Sequence, residues 1–267
     1  MGRRWGWFVG LGLIGIIIGL FIWRGHDIAP GNCAGSGQAD YGDAPDGGPT
    51  GYPAGAVQTG AFPSSAASGG PTADVACGSW IGERVTGEAG YTDPADPDPI
   101  TPNPRPPGTN VPNATSDYDD GIGWVWRPDP GAGPAGIPAD LIITVEVSSA
   151  QGGNYVVNVL QDLNMDGDWS MDSLGTGGGE WVIANHQFNV GPGLSTVDLP
   201  AIRYPTPTMT SMPPCFWMRV VLSTAPIEVQ DEFGWSGTGP VGEGEIEDVL
   251  LHPTPTAGNC TSSQPMQ

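Results

Sequence analysis

The chain has 267 residues, 43 of them Gly and 29 Pro, so more than a quarter of it lies in the two residues that interrupt regular structure. Such a composition suits disorder, yet hydrophobic residues reach 38% and include 10 Trp, enough clustered apolar surface for one folded domain with long loops. The formal net charge is -21 and there is no lysine, which excludes nucleic acid as a partner, since that contact rests on cations facing phosphates.

The first predicted element is a membrane helix. Arg3 and Arg4 precede an uncharged run from Trp5 to Trp23, and Arg24 closes it. At about 1.5 Å per residue the run spans roughly 28 Å, close to a hydrocarbon core of about 30 Å. Trp5, Trp7 and Trp23 stand where aromatic rings prefer the two interfaces. A cleaved signal peptide has a shorter apolar core and a small-x-small site, and Arg24-Gly25-His26-Asp27 offers none. Asn32 before Cys33 does not suit a lipoprotein signal, and Gly6 stands where N-myristoylation needs Ser or Thr. Arg3 and Arg4 favour a cytoplasmic N-terminus. All 29 acidic residues follow the helix, which makes the remainder an acidic periplasmic or extracellular domain. Gly6 with Gly10 and Gly15 with Gly19 form GxxxG pairs, and Gly12, Gly15 and Gly19 fall near one helical face, where another backbone could approach. Equally, glycine is common in membrane helices and throughout this chain.

Residues 1–24 thus form the anchor, 25–39 a linker, 40–252 the domain and 253–267 a tail. Four cysteines follow the helix, and an even count outside the cytosol reads as two disulfides with three connectivities. Cys33 and Cys260 bracket the domain, while Cys77 and Cys215 each precede an apolar run, so Cys33 with Cys260 and Cys77 with Cys215 are the favoured pairings. Buried free thiols are the alternative.

In the domain the first half is loop-rich. Eight prolines between Thr92 and Pro112 favour extended, polyproline-like backbone along the surface over a strand ladder. The second half carries five predicted strands: Leu141 to Ser148, Tyr155 to Gln161, Glu180 to Phe188, Cys215 to Ser223 and Glu245 to His252. No 3.6-residue period is sustained outside the anchor, so the expected fold is mainly β, an antiparallel sandwich.

One loop carries metal-ligand spacing. In Asp162-Leu-Asn164-Met-Asp166-Gly167-Asp168-Trp169, oxygen side chains at alternate positions and a glycine at the sharp turn suit Ca²⁺. Position 12 is Ser173 rather than Glu, so the loop departs from an EF-hand, and Glu180 or Asp172 is expected to complete the set. An acidic turn held by Asx hydrogen bonds without metal is the competing reading. A second cluster, Asp117-Tyr-Asp119-Asp120-Gly121, has looser spacing and reads as a solvated turn. His26 adjoins the anchor, and His186 and His252 sit in strand-like runs, where structural histidines outnumber general bases. GxSxG, HExxH, paired CxxC and phosphate-loop motifs are absent from the sequence, so no catalytic residue is assigned and enzyme activity is not expected. Asn113-Ala-Thr115 and Asn259-Cys-Thr261 match the glycosylation sequon.

Gly42-Asp-Ala-Pro-Asp46, Trp80-Ile-Gly-Glu-Arg-Val-Thr-Gly-Glu88, Asp117 to Gly121, Asp162 to Trp169, Gly179-Glu180, Met218 to Ser223 and Gly244-Glu-Ile-Glu-Asp248 follow one another along the chain. In that order these motifs resemble GEVED domains. The resemblance runs from about residue 40 to 252. It implies a β-sandwich of bacterial surface or secreted proteins with no defined catalytic activity. It also implies that Asp162, Asn164, Asp166 and Glu180 fill the DxNxDG and GE positions and that Glu245, Glu247 and Asp248 fill the name motif. Val249 replaces the aromatic residue that often follows, and here one domain stands alone behind a helix. The functional expectation is a non-catalytic, membrane-anchored interaction module, an accessory subunit of a larger envelope or energy-converting membrane complex. The alternative is a calcium-dependent glycan-binding or adhesive module that uses exposed tryptophans as stacking faces.

Overall fold

The structure, a computed structural model, describes residues 39–74, 78–82, 121–128, 138–170, 180–203, 215–230 and 234–251. The expected anchor with Gly12, Gly15 and Gly19, the proline-rich segment 92–112, Cys33, Cys77, Cys260 and the C-terminal tail lie outside them. Among the described residues no helix is long and apolar enough to cross a membrane.

The described chain is built from strands. In order they are β1 (Ala39–Asp40), β2 (Asp46–Pro49), β3 (Thr59–Ala61), β4 (Pro71–Asp74), β5 (Ser79–Ile81), β6 (Ile122–Pro128), β7 (Pro138–Ser149), β8 (Gly153–Gln161), β9 (Trp181–Val190), β10 (Gly193–Asp198), β11 (Ile202–Arg203), β12 (Phe216–Ser223) and β13 (Gly239–Leu251). The five strands expected from sequence are β7, β8, β9, β12 and β13, most of them longer than their apolar runs. The mainly β expectation therefore holds, while the small N-terminal strands are additional.

Six strands form one sheet in the order β1-β4-β13-β12-β8-β9. A second sheet centres on β7, with β10 and β11 along one side and β5 and β6 end to end along the other. The pairing is antiparallel in both, with one exception: β13 runs parallel to β4, so the larger sheet is mixed rather than purely antiparallel. β2 and β3 make a separate ribbon.

Alternation along the strands explains the layering. In β12 every residue is buried, as expected for a strand covered on both faces. Phe216, Met218, Val220 and Leu222 point into the core between the sheets, where they meet Leu141, Ile143, Val145 and Val147 of β7 and Val157 and Val159 of β8. Trp217 and Val221 point the other way, into a second core with Leu160, Ile246 and Leu250 of the same sheet. That outer core is roofed by loops through Ala44, Tyr52, Phe62, Trp169 and Trp235. The larger sheet is thus sandwiched between a partner sheet and a layer of irregular chain, and the loop with metal-ligand spacing belongs to that layer.

Candidate metal centre

β8 ends at Gln161 in the outer core, and the chain turns there through Asp162 to Ser170. Asp162 is fully buried. Its backbone N–H donates to the Trp217 carbonyl (3.0 Å), and the Gln161 N–H to the Glu180 carbonyl (2.8 Å), so both ends of the excursion from 162 to 180 are tied to the sheet. Its Oδ2 accepts the Gly167 N–H at 2.9 Å and its Oδ1 the Asp166 N–H at 3.2 Å. Asn164 Oδ1 also accepts the Asp166 N–H (3.0 Å), and Asn164 Nδ2 donates to Asp166 Oδ2 (2.5 Å). Gly167 has φ +85°, a left-handed conformation that glycine adopts without penalty, and a Cβ there would lie 2.9 Å from Val57 Cγ1.

This turn brings three carboxylates together. Ligand oxygens of Asp162, Asp166 and Glu180 lie within 4.8 Å of one another, with Asp162 and Glu180 buried and Asp166 half-buried, so the group could hold a metal ion. Asn164 is beside it through its bonds to Asp166. Asp168 is not drawn in: its carboxylate accepts the Ser170 N–H at 2.6 Å and caps the turn instead. Asp172 and Ser173 lie outside the described residues.

Sequence reasoning did not find Tyr52. Its hydroxyl donates to Asp162 Oδ2 (2.8 Å) and accepts the Trp217 N–H (3.0 Å), bridging the acidic turn to β12. Burial pushes the Asp162 carboxyl up from 3.8 to about 7; the Tyr52 and Gly167 bonds oppose this, and the Asp166 charge adds to it. Burial and then the Asp162 charge raise the Tyr52 hydroxyl well above its usual 10.0. The physical cause is shared: negative charge is concentrated where little water reaches. A divalent cation would relieve that repulsion, and an all-oxygen donor set suits a hard ion.

A second buried network lies next to the first. Arg219 of β12 stands opposite Asp248 of β13, and its guanidinium is bidentate to that carboxylate, Nε to Oδ1 at 2.7 Å and Nη2 to Oδ2 at 2.6 Å. Both side chains are fully buried. The remaining donors reach Ser64 Oγ (2.7 Å) and the Pro63 carbonyl (2.8 Å), and Cζ lies 5.3 Å from the Trp169 ring centroid. The Ala44 N–H donates to Asp248 Oδ2 (2.7 Å), and a Cβ at Gly42 would collide with the same carboxylate. Asp40 accepts the Ile246 N–H at 2.6 Å, and Glu245 accepts the Ile81 N–H, linking β13 to the second sheet. The signal in the sequence was a lone arginine inside an apolar strand of a chain with few cations.

The remaining predicted residues are placed as follows. Cys215 is buried and carries no free thiol, and its expected partner Cys77 lies outside the described residues. Glu247 is buried on β13. His186 is half-buried on β9 and stacks on Phe188. Of the Asp117 to Gly121 cluster only Gly121 is described. Trp80, Trp169, Trp217 and Trp235 are buried and offer no open stacking face, while Trp124 and Trp181 are half-buried.

No family model matches the chain. No curated protein matches it either.

Proposed function

We propose that this protein is a non-catalytic structural and interaction module of the GEVED type, held outside the cytoplasm by its N-terminal helix and acting as an accessory subunit of a larger membrane complex. One observation carries the reading: the residues of its two most specific motifs turn inward. Asp248 is engaged by Arg219 and Ala44, Glu245 by Ile81, and Gly42 makes room for Asp248. These groups hold loops to strands rather than lining an open cleft, which is the work of a scaffold. The acidic turn extends the same logic. Its occupant in this reading is Ca²⁺, bound by Asp162, Asp166 and Glu180 with Asn164 alongside, fastening the turn to the loop at Val57 to Ala61. That loop is already joined to it by Val57 N–H to Met165 O (3.2 Å) and Ala61 N–H to Gly167 O (2.7 Å). The disulfide in this reading joins Cys215 to Cys77.

Purification from native membranes in mild detergent tests this function. A stoichiometric complex is expected, together with an intact N-terminus by mass spectrometry; a mature protein starting beyond residue 24, or one recovered alone, would count against it. Within such a complex, Gly15→Leu with Gly19→Leu should leave insertion intact and reduce co-purification of the partner, because small residues let membrane helices approach closely.

A further inference from the structure

Three Asp-Gly dipeptides occur in the chain, at Asp46, Asp120 and Asp166. Asp120 lies outside the described residues, and the fold treats the other two differently. In any such pair the amide nitrogen of the glycine can attack the aspartyl carboxyl, because no Cβ screens it. Asp166 is held against this. The Gly167 N–H donates to Asp162 Oδ2 at 2.9 Å, Asn164 Nδ2 and the Asp168 N–H fix the Asp166 carboxylate at 2.5 and 3.4 Å, and Gly167 is buried. Asp46 is placed in the opposite way. It is half-buried at the start of β2, where the pairing with β3 shifts between Asp46 and Pro49, so Gly47 and Gly48 fall in a bulge. Gly47 is exposed at φ +80°, and nothing lies within 4 Å of where its Cβ would stand. Among the described residues the Asp46 carboxylate accepts one hydrogen bond, from Ser65 Oγ at 2.9 Å, at the start of a loop that is exposed from Ala66 to Gly69.

We propose that Asp46-Gly47 is a site of spontaneous isoaspartate formation, a modification that loosens the β2-β3 ribbon as the protein ages. The Gly47 nitrogen bonds to Asp46 Cγ, a C–O bond breaks and one water leaves, which closes a five-membered imide. Water then adds at either imide carbonyl. Opening at Cγ restores aspartate, whereas opening at the main-chain carbonyl leaves the chain running through Cβ and Cγ with a free carboxylate on Cα. The water lost is regained, so atoms balance and no oxidant or cofactor takes part. The product puts an extra methylene into the main chain at the residue that pairs with Ala61, and it takes the carboxylate away from Ser65. The neighbouring chain has little slack to absorb this: the Phe62 N–H donates to the Pro45 carbonyl (3.3 Å), and a Cβ on Gly60 would collide with that same carbonyl. The ribbon therefore parts at Asp46, while the bonds of Thr50 and Tyr52 to Trp217 hold its other end on the sheet.

Full-length protein in mild detergent, aged at neutral pH with chelator present so that no metal ion shields Asp166, provides the test. Peptide mapping by electron-transfer mass spectrometry, which separates isoaspartate from aspartate, should find isoaspartate accumulating at Asp46 several-fold faster than at Asp166. In urea-unfolded protein the two rates should converge, because the fold is what distinguishes the sites. The isoaspartate-bearing fraction should be cut by a nonspecific protease between Pro45 and Ala61 several-fold faster than fresh protein. Aged Asp46→Glu, in which a six-membered imide closes far more slowly, should show no such gain over its own fresh sample. Equal rates at Asp46 and Asp166 in the folded protein would overturn the proposal, and so would isoaspartate at Asp46 that leaves cleavage of the ribbon unchanged.

Discussion

Arg219 is the residue on which most of the outer layer depends. Its guanidinium satisfies Asp248, Ser64 and Pro63 at once, so truncation leaves a buried carboxylate without its counter-charge. Removing one partner of a buried pair costs about 3–5 kcal/mol. Arg219→Ala is therefore expected to lower the denaturant midpoint by that equivalent, and Arg219→Lys should recover only part, since an ammonium cannot reproduce the bidentate fork. Asp162 makes a prediction of opposite sign to an ordinary salt-bridged acid. Its folded pKa of about 7 lies above the unfolded 3.8, so between those values the folded state holds the extra proton. Without metal, stability contributed by this group is full below about pH 4 and declines as pH rises to about 7, by on the order of 4 kcal/mol. Thermal melts in excess chelator should show that decline, and added Ca²⁺ should raise the melting temperature most at the high-pH end, where the carboxylate is ionised. Asp166→Ala should remove the calcium response. A melting curve indifferent to both chelator and calcium would return the turn to an Asx-bonded loop.

At the scale of elements, what was legible in the sequence followed from periodicity. The apolar runs that became β7, β8, β12 and the end of β13 have apolar residues on both faces, because those stretches are covered on both faces or nearly so, whereas β9, at the sheet edge, leaves Ala184, Gln187 and Asn189 exposed. β1 and β4 are two and four residues long and carry Ala, Asp, Pro and Thr; β4 is a strand because β13 offers it an edge, and β1 because β4 does, not because their own residues demand it. The acidic turn was legible through its spacing, since alternate oxygens and a glycine act locally. Tyr52 was not, because it reaches Asp162 across 110 positions and nothing near it in sequence marks it. β5 and β6 lie end to end on β7, and the chain between them leaves and returns at a single residue: the Gly82 N–H donates to the Glu146 carbonyl (2.8 Å) and the Glu146 N–H to the Gly121 carbonyl (2.7 Å). Replacing residues 83–120 by a short Gly-Ser linker should therefore leave both sheets intact and shift the melting temperature by no more than a few degrees, because closing a shorter loop changes chain entropy only slightly. Loss of cooperative unfolding in that variant would show that the excursion is part of the core.

For the molecule as a whole, a net charge of -21 with few cations means that folding gathers like charge into a smaller volume. The described ion pair at the surface, Arg203 with Asp140 at 3.1 Å, is largely exposed and adds little to offset it. Raising monovalent salt from about 10 mM to about 150 mM, where the screening length falls to about 8 Å, should raise the melting temperature at pH 7 instead of lowering it. The order of strands bears on how such a chain reaches its folded state. β13, the last strand described, lies in the interior of the larger sheet between β4 and β12, and it alone supplies Asp248 to Ala44 and Arg219 and Ile246 to Asp40, over separations of 204 and 206 residues in the N-terminal cases. Contacts so distant in sequence form slowly, and here they cannot begin until the final strand exists. The N-terminal loops meet β12 earlier, through Tyr52 at Trp217 and Ser64 at Arg219, but their tethers at Ala44 and Asp40 wait for β13. A chain emerging from the ribosome thus keeps its larger sheet open between β4 and β12 until β13 has been made, a state in which it can still be threaded through a narrow pore.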